Sequence, residues 1–583
     1  MQRFSTKPAL LLLSMLVASC SQQSGAPEQS QTSAAKASEY QVIKVENEQP
    51  NWWDNAVFYE IWPRSFYDAD GDGSGDFDGM TAKLPYLQDL GVNGIWLTPV
   101  FEAPSYHGYD FQDFYSVESD YGTMQDFEEF VQAAHEHDIK VILDLVINHI
   151  SDGHEWFKKS AAREPGYEDY FIWKKQMPQH WGKAWTDTED NSEAVWHWNE
   201  ERGEYYYGAF ASSQPDVNLR NPKVVAEMNN LASFWLEKGV DGFRLDAVRY
   251  AIEDETADGQ DADQADTDGT IAYWTQFSQH VKSINPEAML VAEAWADMPT
   301  IGKYYDDGKG LDSAFDFDFG YVVSGILNSG GERSADFGSV KEGENDNTRD
   351  ALWKNLQSRK ATAPISFFSP FLTNHDQNRI MHTLGEDEDK AKLAATLLMT
   401  TPGTLYMYYG EEIGLSQFTT GDDQYRRAIM QWQDNDAAGF NETGQFWLDQ
   451  PQWFPWVQDH KPWYSGYWQA QRGNGNASVD VQEADSDSLL NHYKKLLDVR
   501  NSHLALQFPE EIRYYPVDNL DAWVVQNVKG QRKRLTIVNL NPEMDISFSV
   551  PDSLQGTYKD LLTGNKITLG STLLLPAGTS LIL

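Results

Sequence analysis

The sequence predicts an α/β fold, a (β/α)8 barrel with an inserted subdomain after its third strand and an all-β C-terminal domain, on three observations. From Trp52 onward, eight short apolar runs alternate with amphipathic stretches of helical period, the pattern of a parallel barrel. One interval, residues 150–219, is too long for an ordinary strand-to-helix loop and is dense in Trp and Tyr. Beyond a helix predicted over 489–501, the period changes to short alternating strands (AWVVQNV, RLTIVNL, SFSVP, TLLLP), which read as an antiparallel sandwich.

In chain order, Arg3 and Lys7 precede an apolar stretch at 8–18 that is too short to span a bilayer. It runs into Val17-Ala18-Ser19-Cys20, and Cys20 is the only cysteine, so no disulfide can form within the chain. This segment resembles a bacterial lipoprotein signal. The resemblance implies cleavage of residues 1–19, lipidation of Cys20 and a membrane contact through that anchor. Ser21 after the cysteine points to the outer membrane of a bacterial cell envelope. Residues 20–50, rich in Ser, Gln, Ala and Glu, read as a flexible tether.

Barrel strands are predicted at 57–62, 94–99, 140–147, 241–248, 288–294, 313–317, 365–373 and 404–409, within a catalytic domain of residues 51–149 and 220–503. KVILDLVIN is apolar throughout, as a strand buried on both faces should be. Between strands, 123–138 and 222–238 have helical period, with Met124, Phe127, Phe130, Val131 and Ala134 on one face. Residues 150–219 form the inserted subdomain and 504–583 the C-terminal β domain. Residues 253–269 carry eight acids without apolar periodicity and read as a solvated surface loop.

Composition narrows the function. A net charge of −44 repels phosphate backbones, so no nucleic-acid partner is expected. The 21 Trp serve partly as core, and flat aromatic faces also suit the C–H faces of sugar rings. Barrel enzymes gather their catalytic groups at the C-terminal ends of several strands. Here those ends carry Asp144, Asn148 and His149, then Arg244 and Asp246, then Glu293, then His375 and Asp376. A lone Asp at such a position is usually a cap or turn residue; acids, histidines and an arginine converging from four strands are a site.

The motifs Asp144-Leu-Val-Ile-Asn-His149, Gly242-Phe-Arg-Leu-Asp246, Val291-Ala-Glu-Ala-Trp295 and Leu372-Thr-Asn-His-Asp376 resemble, in order and spacing, four signature regions of glycoside hydrolase family 13, the α-amylase superfamily. Tyr106-His-Gly-Tyr109 and Gln214-Pro-Asp-Val-Asn218 add two further matches, and the resemblance covers nearly all of the chain after Trp52. It implies Asp246 as nucleophile, Glu293 as general acid and then base, and Asp376 as the third acid that grips sugar hydroxyls. His149 and His375 match hydroxyl-binding partners, and Tyr109 matches a ring stacked beneath the sugar. Arg244 is placed to keep Asp246 ionised.

After the first strand, Asp68-Ala-Asp-Gly-Asp-Gly-Ser-Gly-Asp76 places acids at positions 1, 3, 5 and 9 and glycine at 6, as in an EF-hand loop. Position 12 is Gly79 and no helix precedes it, so it is not one. Similar loops in the family imply Ca2+ held by Asp68, Asp70, Asp72, Asp76 and the Ser74 carbonyl. The expected substrate is an α-glucan, starch or maltodextrin, cut at α-1,4 bonds by a monomeric enzyme. Ala247 after the nucleophile favours that linkage, while Gln214-Pro-Asp-Val-Asn218 resembles the α-glucosidase and oligo-1,6-glucosidase branch. A noncatalytic sugar-binding relative would typically lack one of the three acids.

Overall fold

The computed structural model describes residues 39–45, 50–182, 184, 194–328, 349–418, 423–453 and 478–583. The signal segment and Cys20 lie outside the described residues, as does most of the expected tether. Among the described residues, no helix is long and apolar enough to cross a membrane.

Eight parallel strands form the barrel: β1 (Val57–Ile61), β2 (Gly94–Leu97), β3 (Lys140–Leu145), β4 (Gly242–Leu245), β5 (Met289–Ala292), β6 (Ser313–Asp316), β7 (Phe368–Pro370) and β8 (Leu405–Tyr408). They are hydrogen-bonded in sequence order from β1 to β7, with β8 beside β1, and a parallel bridge from Phe371 to Tyr406 joins the ends. All eight predicted strands are present. The seventh is shorter than expected, because residues Ile365–Phe367 form a 3-10 turn ahead of it.

Side chains alternate across each strand. Phe58, Trp96, Ile142, Met289, Val291, Phe315 and Tyr406 point inward and fill the barrel with one apolar cluster. The intervening Tyr59, Ile95, Val141, Leu143, Phe243 and Leu290 belong to the main core, which includes the helices. In Met124–Glu136, Phe127, Phe130, Val131 and Ala134 are buried, as the period predicts. In Pro222–Glu237, the ring of Trp235 is fully buried and its Nε1–H donates to the Phe114 carbonyl at 3.0 Å.

The inserted region contains a three-stranded antiparallel sheet of Trp173–Lys174, Glu204–Tyr207 and Trp196–Asn199. At the C-terminal end, Glu511–Tyr514, Ala522–Lys529, Arg532–Asn539 and Ser580–Ile582 form an antiparallel sheet. Val524, Leu535 and Ile537 of that sheet share a core with Ile546, Phe548, Leu569 and Leu575 from two smaller antiparallel pairs.

Two expectations need correction. Gln41–Lys44, inside the stretch read as tether, is an edge strand pairing antiparallel with Glu511–Tyr514, and Ile43 is buried. Four residues are too few to show a period, and the partner lies far along the chain. The acidic stretch 253–269 is not simply solvated. Glu253 is buried against Arg220 at 2.9 Å, Asp266 pairs with Arg249 at 2.6 Å, and Thr267 caps the helix Asp268–Ile284.

Candidate active site

The strand phase that fills the barrel also builds the site above it. Glu60 is two residues beyond Phe58, Asp144 two beyond Ile142, and Glu293 two beyond Val291, so each acid continues an inward-facing row. Arg244 is in register with Asp144 on one side and Val291 on the other. Its guanidinium is fully buried and lies over the Trp96 ring at 5.2 Å.

Arg244 is the hub. Nη1 donates to Asp144 Oδ1 at 2.8 Å and to Asp246 Oδ1 at 2.6 Å. Nη2 lies 3.1 Å from Glu293 Oε2, at an angle too poor for a hydrogen bond. The two predicted catalytic carboxylates therefore flank one guanidinium. Ala247, between them, has left-handed backbone (φ 49°), a strained state for a residue with a Cβ. In that conformation its N–H donates to Glu293 Oε2 at 2.9 Å.

Burial pushes the Asp246 carboxyl up to about 6; Arg244 opposes the rise and Asp144 adds to it. Burial pushes Glu293 further, to about 7, against Arg244 and with help from Asp246 and Asp376. The pair is thus ordered, with Asp246 losing its proton first. Glu293 Oε2 faces a cation and accepts an N–H, which leaves Oε1 as the oxygen that favours a proton.

His375 closes the other side. Its Nδ1 is 2.6 Å from Glu60 Oε1 and its Nε2 lies 2.6 Å from the Tyr109 hydroxyl and 3.2 Å from Asp376 Oδ2. Burial would lower its pKa, but Asp376 and Glu60 raise it above the ordinary value. With both ring nitrogens protonated, the chain of donors runs from His375 to Tyr109 and from Tyr109 to Asp144 at 2.9 Å. Burial likewise works against the charge on Asp376, yet His375, Arg427 and Arg244 hold its carboxyl below the usual range. The Tyr109 and His375 rings are stacked at 5.6 Å. His149 is buried beside Phe210 and stays neutral, its pKa pushed down to about 3 by burial and by His107.

The structure thus brings Asp246, Glu293, Asp376, Arg244, His375 and Tyr109 into one network. Sequence reading missed three contributors. Glu60 was visible as the one charge in VFYEI. Arg427, which reaches Asp376 at 3.4 Å and Asp423 at 2.7 Å, comes from a segment without a recognisable period. Asp423 also receives the Tyr106 hydroxyl.

In the loop after β1, one carboxylate oxygen each from Asp68, Asp70 and Asp76 lie within 4.8 Å of one another. Asp72 is outside this trio, and its Oδ1 accepts the Ser74 N–H at 2.8 Å. Asp76 also caps the helix Phe77–Leu90 through Gly79 N at 2.6 Å. Burial raises the pKa of Asp68 and takes Asp76 to about 6, with Asp70 adding to the first and Asp68 to the second. Three hard oxygen donors at this spacing fit a hard cation.

A parallel barrel that presents two carboxyls around one arginine has the parts that cleavage of a sugar acetal needs. Residues 60–508 match the family described as the alpha amylase catalytic domain, and the chain belongs to that family, glycoside hydrolase family 13. It is 38% identical to α-amylase 3 of Dictyoglomus thermophilum over 460 residues, 78% of this chain and 79% of the relative. It is 30% identical to an oligo-1,6-glucosidase of Bacillus cereus, over 88% of this chain and 95% of that one. Its fold matches the crystal structure of α-amylase from H. orenii with a TM-score of 0.73 at 31% identity, covering 91% of this chain and 99% of that chain. The protein is an α-glucan hydrolase of the α-amylase type.

Proposed function

We propose that the protein is a retaining α-amylase that cuts α-1,4 bonds of starch and maltodextrins. The observation that carries the chemistry is the pair of carboxyls, Asp246 and Glu293, flanking the Arg244 guanidinium at 2.6 and 3.1 Å, with burial raising the pKa of both. Arg244 occupies Asp246 Oδ1, leaving Oδ2 to attack the anomeric carbon. As that C–O bond forms, the bond to the leaving sugar breaks and the proton on Glu293 Oε1 passes to the leaving oxygen. Glu293, now ionised, takes a proton from water, whose oxygen attacks the same carbon and frees Asp246. Asp376, held ionised, accepts from sugar hydroxyls, and His149 offers a ring nitrogen at the same sugar, while His375, whose nitrogens face Glu60, Tyr109 and Asp376, holds Asp376 in place.

The α-1,4 preference draws on Ala247 and on the 38% identity to an α-amylase, against 30% to an oligo-1,6-glucosidase. An α-glucosidase reading is favoured by Gln214-Pro-Asp-Val-Asn218 and by the maltases among the relatives. Early products from soluble starch decide between them: mixed oligosaccharides fit the amylase, and glucose alone overturns it. Asp68, Asp70 and Asp76 would hold Ca2+, which would tie the loop after β1 to the start of the helix Phe77–Leu90. Lipidation at Cys20 would hold the enzyme on the outer membrane; Cys20→Ser should release it to the soluble fraction.

A further inference from the structure

We infer that one end of the C-terminal domain is a docking surface for anionic phospholipid headgroups, built from the cations of two hairpins. The strands Ala522–Lys529 and Arg532–Asn539 are joined through Lys529-Gly-Gln-Arg-Lys-Arg534, and the pair Gly556–Lys559 and Lys566–Leu569 through residues 560–565. The last strand brings the two together. Ile582 pairs with Thr536 and accepts the Leu561 N–H at 2.8 Å, while Leu583 exchanges hydrogen bonds with Leu535. In both hairpins like charges stand directly opposite, Lys529 against Arg532 and Lys559 against Lys566. Opposed like charges weaken a sheet, and a chain with 89 acids against 45 Lys and Arg has no shortage of carboxylates to put there.

The cations are also left uncompensated. Arg532, Lys533, Lys559 and Lys566 are exposed. Among the described residues, Lys529 alone of the group has an acid in ion-pair range, Glu510 at 3.3 Å. Burial and Arg532 both lower the Arg534 pKa, and the Arg534 Nε has no hydrogen-bond partner. The acid of the second turn, Asp560, is buried and accepts the Leu562, Thr563 and Ile582 N–H groups, so it braces the backbone rather than the lysines. Charge and position together select the ligand. Cations spread over two hairpins suit a surface of many phosphates better than a single anion. With a net charge of −44, most of the protein is repelled by such a surface, but that repulsion is screened beyond about 8 Å at physiological salt. A bilayer can therefore be met with this end forward, whereas a long soluble polyanion would run on over the acidic remainder. The Gln41–Lys44 strand belongs to the same sheet: Lys44 pairs with Glu511, Glu511 with Val528 and Val528 with Lys533. Cys20 is separated from Gln41 by at most about 70 Å of extended chain, so an anchored molecule can bring this end to its membrane. The choice of a membrane rests on the lipoprotein reading of residues 1–20; the charged surface does not.

The test is flotation of the full chain carrying Cys20→Ser, which cannot be lipidated, with vesicles of phosphatidylcholine alone or of equimolar phosphatidylcholine and phosphatidylglycerol. Binding should require phosphatidylglycerol and disappear at high salt. Adding Arg532→Gln with Lys533→Gln should weaken it about 25-fold, about fivefold for each cation removed. Lys566→Glu should weaken binding while raising the melting temperature, because its contact with Lys559 becomes attractive. A purely structural role for the lysines would not separate the two readouts. All variants share one N-terminal segment, so differences between them belong to the hairpins. Their kcat/KM on a short chromogenic maltooligosaccharide should stay within about twofold of the parent. Equal binding to the two kinds of vesicle, or binding unchanged by the double substitution, would overturn the inference. Binding to dextran sulfate without binding to vesicles would assign the surface to a soluble polyanion and overturn it likewise. Fractionation of the unsubstituted chain tests the anchor separately: recovery in the soluble fraction would refute the lipoprotein reading and leave the vesicle result standing.

Discussion

Removing the proton donor tests the central geometry most directly. If Asp246 titrates near 6 and Glu293 near 7, the productive form, with the first ionised and the second protonated, peaks at about pH 6.5 and includes about 60% of the molecules. It falls to about a tenth of the molecules at pH 5 and again at pH 8, so kcat/KM should trace a narrow bell. Glu293→Gln keeps the size and an acceptor oxygen for the Ala247 N–H but cannot donate the same proton. Turnover of maltooligosaccharides should fall about 10²- to 10⁴-fold, the usual contribution of a general acid. The residual activity should lose its alkaline limb and keep an acid limb near 6. A substrate whose leaving group needs no proton, such as a dinitrophenyl α-maltoside, should lose far less in the first bond cleavage. The assay is stopped-flow release of dinitrophenolate across pH 4–9. Persistence of an alkaline limb near 7 in Glu293→Gln would refute the assignment of Glu293 as the acid.

Glu60→Gln removes one of the two charges that hold a proton on His375; its imidazole pKa, read by NMR, should drop, and kcat/KM should fall about 10- to 100-fold, the range for a lost charged hydrogen bond. Chelation with EDTA should lower the melting temperature, Ca2+ should restore it, and Asp68→Ala should abolish the difference without altering Asp246 or Glu293. Trp235→Ala empties a fully buried site and strips the Phe114 carbonyl of its donor; urea unfolding should show a loss of about 3–5 kcal/mol.

Much of this was legible in the sequence because the barrel repeats one simple rule. Eight apolar runs announced eight strands, and charged residues at their ends announced the site. Asp144, Arg244 and Glu293 could be placed because strand phase is fixed by the period of two. What could not be read depends on contacts far apart in the chain. The Gln41–Lys44 strand has no local period to declare it, and Arg427 reaches Asp376 from irregular backbone. The metal loop reads as a four-carboxylate arrangement, yet the trio whose oxygens lie within 4.8 Å of one another is Asp68, Asp70 and Asp76, and spacing alone does not reveal which of the four converge. Acid-rich 253–269 read as solvated because composition cannot show that Arg220 reaches Glu253.

The pairing of Gln41 with Tyr514 has a consequence for biosynthesis. Translation at about 5–20 residues per second delivers this β-segment long before its hydrogen-bonding partner, a delay of about 25–95 s. Throughout that interval the nascent chain has an unsatisfied ribbon while the barrel is still being made. Docking of that ribbon is therefore a late event, a clasp that fastens only after the barrel between the two segments has been made.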